Sequence, residues 1–338
     1  MNEMDRTLTP ARRFDAAGLI REYGLILAIL AITAVATVIR PAFLSGNNIM
    51  NILRAYSTIG IASIGMAFAI IGGGMDLSIG STISLSAVVT MMIINATTVD
   101  RVSPAYAAFL ALFAGLAVGA LVGAVNGAIM AAVNGRMGES FIITYAMQIV
   151  VGAVAQAVVK GTFQPAAYRD GLFKSFGMGV APILFLAAVA AVMQLILVKT
   201  TFGRNLYFLG ANMNAAKMAG IKTRQVRFLS HLFCGMCAGL VGVLVVSRVN
   251  SASVLQGLNY ELDAMACVAV GGVSLIGGSG SVVKTVIGVL VIGFLLTALN
   301  VLGVQSNAQL VVRGLVIIAA VMLDTYNKAL KLKGGVKG

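Results

Sequence analysis

"YAAFLALFAGLAVGALVGAVNGAIMAAV", Tyr106 to Val133, runs for 28 residues without a single charge. Coiled as an α-helix at about 1.5 Å per residue it would be roughly 42 Å long, more than the ~30 Å of a bilayer's hydrocarbon core. Such a helix must tilt or protrude. Gly115, Gly119, Gly123 and Gly127 recur at every fourth position and make one continuous glycine face. In lipid no hydrophobic drive pulls helices together, and small faces let backbones approach closely. That face can pack inside the bundle, form a dimer contact or line a pore.

The rest of the chain agrees with this stretch. Of 338 residues, 59% are hydrophobic and 10% charged, against about 25% charged in soluble chains; the mean hydropathy is +0.98. The fold class is an all-α polytopic membrane protein. Ten spans are expected, at 23–39, 49–72, 77–95, 106–133, 141–159, 182–198, 227–247, 262–276, 282–303 and 308–324. The 262–276 span is short and glycine-rich at its end, which suits a broken helix. Residues 1–22 mix four arginines with four acids and show no small-residue cleavage pattern, so the first apolar run reads as a membrane helix and not as a cleaved signal.

The net charge of +13 could suggest a nucleic-acid partner, but the bases are scattered between apolar runs. They sort by side instead. Sixteen Lys and Arg fall in 1–22, at Arg136, in the 199–227 loop, at Lys284 and in the tail from 326 to 338. Seven fall on the opposite side: Arg40, Arg54, Arg101, Lys160, Arg169, Lys174 and Arg248. The richer side should be cytoplasmic. Both termini, residues 1–22, the 199–227 loop and the basic tail 326–338 are then cytoplasmic, around a transmembrane domain of 23–325.

Familiar chemistry is missing. A single His, His231, cannot supply a paired-histidine metal motif, and no Ser sits in a nucleophile elbow. Cys234 and Cys237 form a C-x-x-C inside an apolar run, where a redox pair does not belong. "GGSGSVVKT", Gly277 to Thr285, resembles a phosphate loop, but Val283 stands where the Gly before the Lys is required. Charges within spans are few: Asp76, Asp263, Arg313 and Asp324, with Glu261 at an edge. They make a thin proton relay. An ion-coupled secondary carrier of a small polar solute is the alternative reading. Arg313 can snorkel to an interface; if it pairs within the bundle, Asp76 is the partner by elimination, with Asp263 as rival.

One basic loop is built differently from the spans. In "TTFGRNLYFLGANMNAAKMAGIKTRQVR", Thr200 to Arg227, Asn212 reads as an N-cap and Gly220 as the residue past a helix C-terminus. Gly210 would bend the chain before the cap. Between the caps Ala215, Ala216 and Ala219 share a face, with Lys217 off it. So short a helix is unstable alone in water and must dock on something. A groove on another protein suits it, as does its own bundle.

With these residues the chain resembles the sugar-type permeases of ABC importers. The loop "TFGRNLYFLGANMNAAKMAGI" is similar to their cytoplasmic coupling loop. "GGGMDLSIGS" (Gly72–Ser81), "GGVSLIGGSGSV" (Gly271–Val282) and "LNVLGVQSNAQLVVRGLVIIAAVMLD" (Leu299–Asp324) follow the family's other motifs in order. The resemblance covers roughly 25–325. It implies a homodimeric inner-membrane permease with a type II-like importer fold. It also implies a separate ATP-binding cassette subunit carrying ATP and Mg, a periplasmic substrate-binding protein, and no cofactor, metal or enzymatic activity in this chain. Contacts to the ATPase would come from Gly203, Arg204, Gly210, Asn212, Ala215, Ala216 and Gly220. Asp76 reads as a cap accepting from the amides of Ser78 and Ile79, fixing a bend beside the path. Neutral groups at Ser78, Asn126, Thr144, Gln148 and Asn300 are candidates to brush a passing sugar.

Overall fold

The computed structural model describes residues 16–99, 102–135, 137–159, 163–165 and 171–334. In chain order these form α1 (Ala16–Ile39), a 3-10 turn (Pro41–Leu44), α2 (Gly46–Ile71), α3 (Ile79–Val99), α4 (Pro104–Val133), α5 (Met137–Val159) and β1 (Phe163–Pro165). There follow α6 (Leu172–Gly177), α7 (Ala181–Lys199), α8 (Thr201–Ala211), α9 (Met213–Met218) and α10 (Thr223–Val249). β2 (Ser251–Ser253), α11 (Tyr260–Val270), α12 (Val282–Val301) and α13 (Ser306–Gly334) complete the order. β1 and β2 pair antiparallel, with Phe163 opposite Ser253.

Among the described residues seven helices, α2, α3, α4, α5, α7, α10 and α12, are long and apolar enough to cross a membrane, and shorter apolar helices run over Ile29–Ile39 and Ser306–Met322. The expected 262–276 span is not one helix: α11 ends at Val270, and residues 271–281 are irregular. Two consecutive glycines, Gly271 and Gly272, stop it. Several bases counted above, among them Arg101, Arg136, Lys160 and Arg169, lie outside the described residues.

Local sequence sets most helix ends. Ser45, Ser103 and Ser281 accept from the amides of Asn48, Tyr106 and Lys284 to start α2, α4 and α12. Four helices, α2, α9, α11 and α12, stop in the same way. In each, the residue past the cap is a glycine at positive φ: Gly73 (79°), Gly220 (75°), Gly272 (75°) and Gly303 (77°). The next amide then reaches back five residues, as Gly74 N does to Ala69 O at 2.9 Å and Ile221 N to Ala216 O at 3.0 Å. Two otherwise orphaned carbonyls are satisfied at each end.

At the centre α10 packs along α4, the most extensive helix pair, and also against α2 and α3. The glycine face of α4 is used here, inside the bundle. Gly119 and Gly123 meet Gly235 and Gly239 of α10, backbone against backbone; a β-carbon on Gly119 would fall 2.6 Å from Gly239 Cα. Ser86 of α3 ties the pair, donating to Gly239 O at 2.7 Å and lying 3.2 Å from Gly115 O. Cys234 and Cys237, on the face of α10 that meets Gly65 of α2, are buried free thiols. The C-x-x-C is a packing element.

Outward, Phe113, Leu121, Ile142, Ile149, Leu184 and Leu195 are exposed. That would be an aggregation surface in water, whereas a bilayer solvates it.

Gly119→Val should overpack the α4–α10 seam and cost about 1–3 kcal/mol or more. Gly152, with nothing within 4 Å of an added β-carbon, should accept Ala freely. Thermal denaturation of the two variants in detergent, read by the fraction surviving size-exclusion chromatography, measures the difference. Equal stability would show that the seam is not rigid.

Candidate functional site

The chain breaks its helical run between α2 and α3, at "GGGMDLS", Gly72–Ser78. Side chains from α4 and α5 close the break. Ser140 Oγ donates to Met75 O at 2.6 Å and accepts from Met75 N at 2.9 Å. One turn on, Thr144 Oγ1 accepts from Leu77 N at 3.0 Å. Asp76 Oδ1 accepts from Ser78 N at 2.9 Å and from Ser78 Oγ at 2.6 Å. Asn126 Nδ2 donates to Ser78 Oγ at 2.7 Å and lies 3.3 Å from both carboxylate oxygens of Asp76. Asp76, Ser78, Asn126, Ser140 and Thr144 are all buried, at 2% exposure or less.

The structure therefore brings together four of the six residues proposed for a path. Asp76 caps the turn through Ser78, as expected for one of its two amides; α3 itself begins at Ile79. Gln148 lies one turn beyond Thr144 on α5, where its Nε2 donates to Glu261 Oε1 at 3.3 Å. Asn300 lies elsewhere, at the α12–α13 turn, accepting from Gln309 Nε2 at 2.8 Å. Ser140 was missed. The one sequence signal for it is spacing: Ser140 and Thr144 stand four apart and hence on one helix face, a pattern that does not by itself distinguish a closing serine from one bonding its own helix.

Arg313 pairs with Asp263, not with Asp76: its Nη1 sits 2.8 and 3.0 Å from the two carboxylate oxygens. α11 packs against α13 while Asp76 faces α4, so the pairing by elimination fails on geometry. His231 is 1% exposed. Its Nδ1 lies 3.0 Å from Arg227 O, an acceptor only, so Nδ1 carries the hydrogen. Among the described residues no group of three His, Cys, Asp or Glu could hold a metal ion.

The basic loop is more ordered than its sequence suggests. α8 takes up Thr201–Ala211, with Thr200 Oγ1 accepting from Gly203 N at 3.2 Å. Gly210 is not a bend; it lies within α8, close against the end of α2. Gly203 touches Leu197 and lets α8 fold tightly against the end of α7. α9 then starts where expected. Asn212 Oδ1 accepts from Asn214 N and Ala215 N, both at 3.0 Å, and Gly220 ends the helix. The alanines do not share one open face: Ala216 turns inward at 2% exposure, while Ala215 and Ala219 stay exposed. An α-helix of six residues places consecutive side chains about 100° apart, so its single buried position falls to Ala216. Met218, 90% exposed, is the projecting apolar side chain, beside exposed Lys217. Arg204 is exposed on α8.

Residues 48–321 match the family model for the branched-chain amino acid transport system / permease component. The chain belongs to this family. It is 35% identical to the ribose import permease protein RbsC of Escherichia coli (strain K12), covering 94% of this chain and 98% of that one. The ribose import permease protein RbsC of Bacillus subtilis (strain 168) is 37% identical, over 95% and 98%. The L-arabinose transport system permease protein AraH of Escherichia coli (strain K12) is 31% identical, over 95% and 96%. No solved structure matches.

Asp76→Asn should be tolerated. An Asn still accepts from Ser78 through its oxygen. Asn126 Oδ1, which has no partner among the described residues, can rotate to receive the new amide. Asp76→Leu strands Ser78 and Asn126 in an apolar interior, at about 1–3 kcal/mol for each lost partner. Membrane yield and melting in detergent should follow wild type ≈ Asn > Leu; a matching fall in both variants would make the charge itself essential.

Proposed function

We propose that this chain is the membrane permease subunit of an ATP-driven importer of a neutral monosaccharide. The observation that carries this reading is the near full-length likeness to ribose and arabinose permeases, which spans the breaks and the basic loop together. The chain would sit in the inner membrane of a bacterium as a homodimer. Its ten spans are the seven long helices, α1, α13, and α11 taken with the irregular segment after it. ATP and Mg belong to a separate cassette subunit, consistent with the spoiled phosphate loop at Val283. A periplasmic binding protein would deliver the sugar. Nothing in the relatives named above favours an ion-coupled carrier.

In this reading α8 and α9 contact the ATPase. α9 is pinned at its start by Asn212 and at its end by Gly220, and Ala216 anchors it to its own bundle. Met218, Ala215, Ala219 and Lys217 are left free to enter a groove on the partner, with Arg204 alongside. The cluster of Asp76, Ser78, Asn126 and Thr144 holds the α2–α3 break in shape beside the path. Gln148 and Asn300 are the less buried amides that a sugar hydroxyl can reach, and exchangeable hydrogen bonds allow release.

The function is tested by reconstituting the chain with its ATPase and binding protein in proteoliposomes and measuring ATP-dependent uptake of labelled ribose, arabinose and allose. No uptake of any monosaccharide, with ATP hydrolysis intact, would overturn the sugar reading. Orientation is tested by reporters fused after Lys217 and after Gly303, expected cytoplasmic and periplasmic respectively. Met218→Glu should leave the permease folded, because the side chain is exposed. It should cut co-purification with the ATPase and uptake about tenfold or more, since a carboxylate forced into an apolar groove costs several kcal/mol. Unchanged co-purification would remove Met218 from the interface.

A further inference from the structure

Three glycine segments, far apart in sequence, meet beside α8. The first is Gly72–Gly73 at the end of α2; the second is Gly210 near the end of α8; the third is Gly277–Gly278 in the α11–α12 connection. Gly73, Gly210 and Gly277 meet backbone on backbone, while Gly72 meets the Leu206 side chain of α8. A β-carbon on Gly210 would collide with Ile71 O and lie 2.5 Å from Gly278 N. One on Gly277 would lie 2.9 Å from Gly73 Cα and 3.0 Å from Gly210 O, and one on Gly278 would lie 2.6 Å from Ala211 Cα. Two hydrogen bonds tie the group. Gly278 N donates to Ile71 O at 2.9 Å, and Tyr207 Oη donates to Gly280 O at 2.6 Å. Burial pushes the Tyr207 phenol up from its ordinary pKa, so it stays a donor.

The two helices that stop here are matched. Gly72, Gly73 and Gly74 N reach back four, three and five residues, and Gly271, Gly272 and Val273 N do the same. Each half of the chain thus ends a helix with the same geometry, and α8 lies against the end of α2 and against Gly278 and Gly280 in the connection that follows α11. Contacts without side chains have no rotamers to absorb a displacement, and close-packed groups transmit strain.

We infer that Gly210 and Tyr207 are positioning residues for transport: they fasten the docking loop to the end of α2 and to the α11–α12 connection at once, so that a displacement of α8 moves the α2–α3 break and that connection as one body. This rests on the importer reading above. The first break leads into the Asp76 cluster. The second follows the helix that carries Glu261 and Asp263. A push on the loop thereby reaches polar groups in both halves of the bundle.

The test uses the complete complex in proteoliposomes, with uptake and ATP hydrolysis measured together. Tyr207→Phe keeps the ring and removes one hydrogen bond; sugar imported per ATP hydrolysed should fall about fivefold, with assembly and hydrolysis unchanged. Gly210→Ala should lower the same ratio further. A merely structural role would lower uptake and hydrolysis together and leave the ratio fixed, which overturns the proposal. Should Gly210→Ala fail to assemble, Tyr207→Phe decides. If the unaltered complex imports no sugar on ATP, the importer reading falls instead.

Discussion

A helix interrupted inside an apolar medium frees amides and carbonyls that water cannot reach, and each must find a partner within the protein. The α2–α3 break meets this demand almost residue by residue. Gly73 and Gly74 bond back into α2, Met75 and Leu77 bond to Ser140 and Thr144, and Ser78 bonds to Asp76. Ile71 O, which α2 leaves over, is taken by Gly278 N from the other half of the chain. The break is therefore a turn with most of its amides bonded. Its cost is that α4, α5 and the α11–α12 connection must all be held at the right depth.

The glycine seam of α4 and α10 supplies that depth for α4. Asn126 precedes Gly127, which lies against the Phe228 backbone. Only with α4 seated this closely on α10 does Asn126 Nδ2 come within 2.7 Å of Ser78 Oγ. A glycine face and a buried polar cluster thus solve one problem: small residues bring in the helix whose amide the carboxylate needs. α2 and α10, the most deeply buried of the long helices, form the scaffold, whereas α5 and α7 expose most of their surface.

Features that depend on neighbours in sequence were legible. Length and apolarity give the spans, and Asn212 and Gly220 give the two ends of α9, because capping is decided within a few residues. Long-range approach was not legible. Nothing near Gly210 says that it lies against Ile71 and Gly278, so it read as a bend when it is a helical contact point. Arg313 is 50 residues from Asp263, and charge alone could not choose between Asp263 and Asp76. Ala216 turned inward because α8, unseen in the sequence, fixes the angle at which α9 meets the bundle. In the polar cluster, Asp76 and Asn126 stood out as rare polar residues in apolar runs. Ser140 did not, since a serine that bonds its own helix and one that closes another turn look alike in sequence.

The two matched helix ends are closed by different means, and the difference assigns them different mechanical characters. After Gly74 the first break is held by side chains: its own carboxylate, Asp76, with an amide from α4 and two hydroxyls from α5. After Val273 the second is held mainly by backbone. Ser274 N bonds Ser279 O, Gly277 N bonds Ser274 O, and Gly278 N bonds Ile71 O. Gly277, Gly278 and Gly280 all sit at positive φ, at 100°, 73° and 151°. A turn locked by several buried polar side chains resists deformation, because any opening strands them all. The second turn is tied through Tyr207 Oη on Gly280 O and otherwise relies on glycines at positive φ, where other residues would be strained. Gly210 touches Ile71 at the end of α2 and Gly278 in the second turn, so in the motion proposed above α8 carries both together. α11, only 11 residues long and joined directly to that turn, brings Glu261 and Asp263 into the same movement.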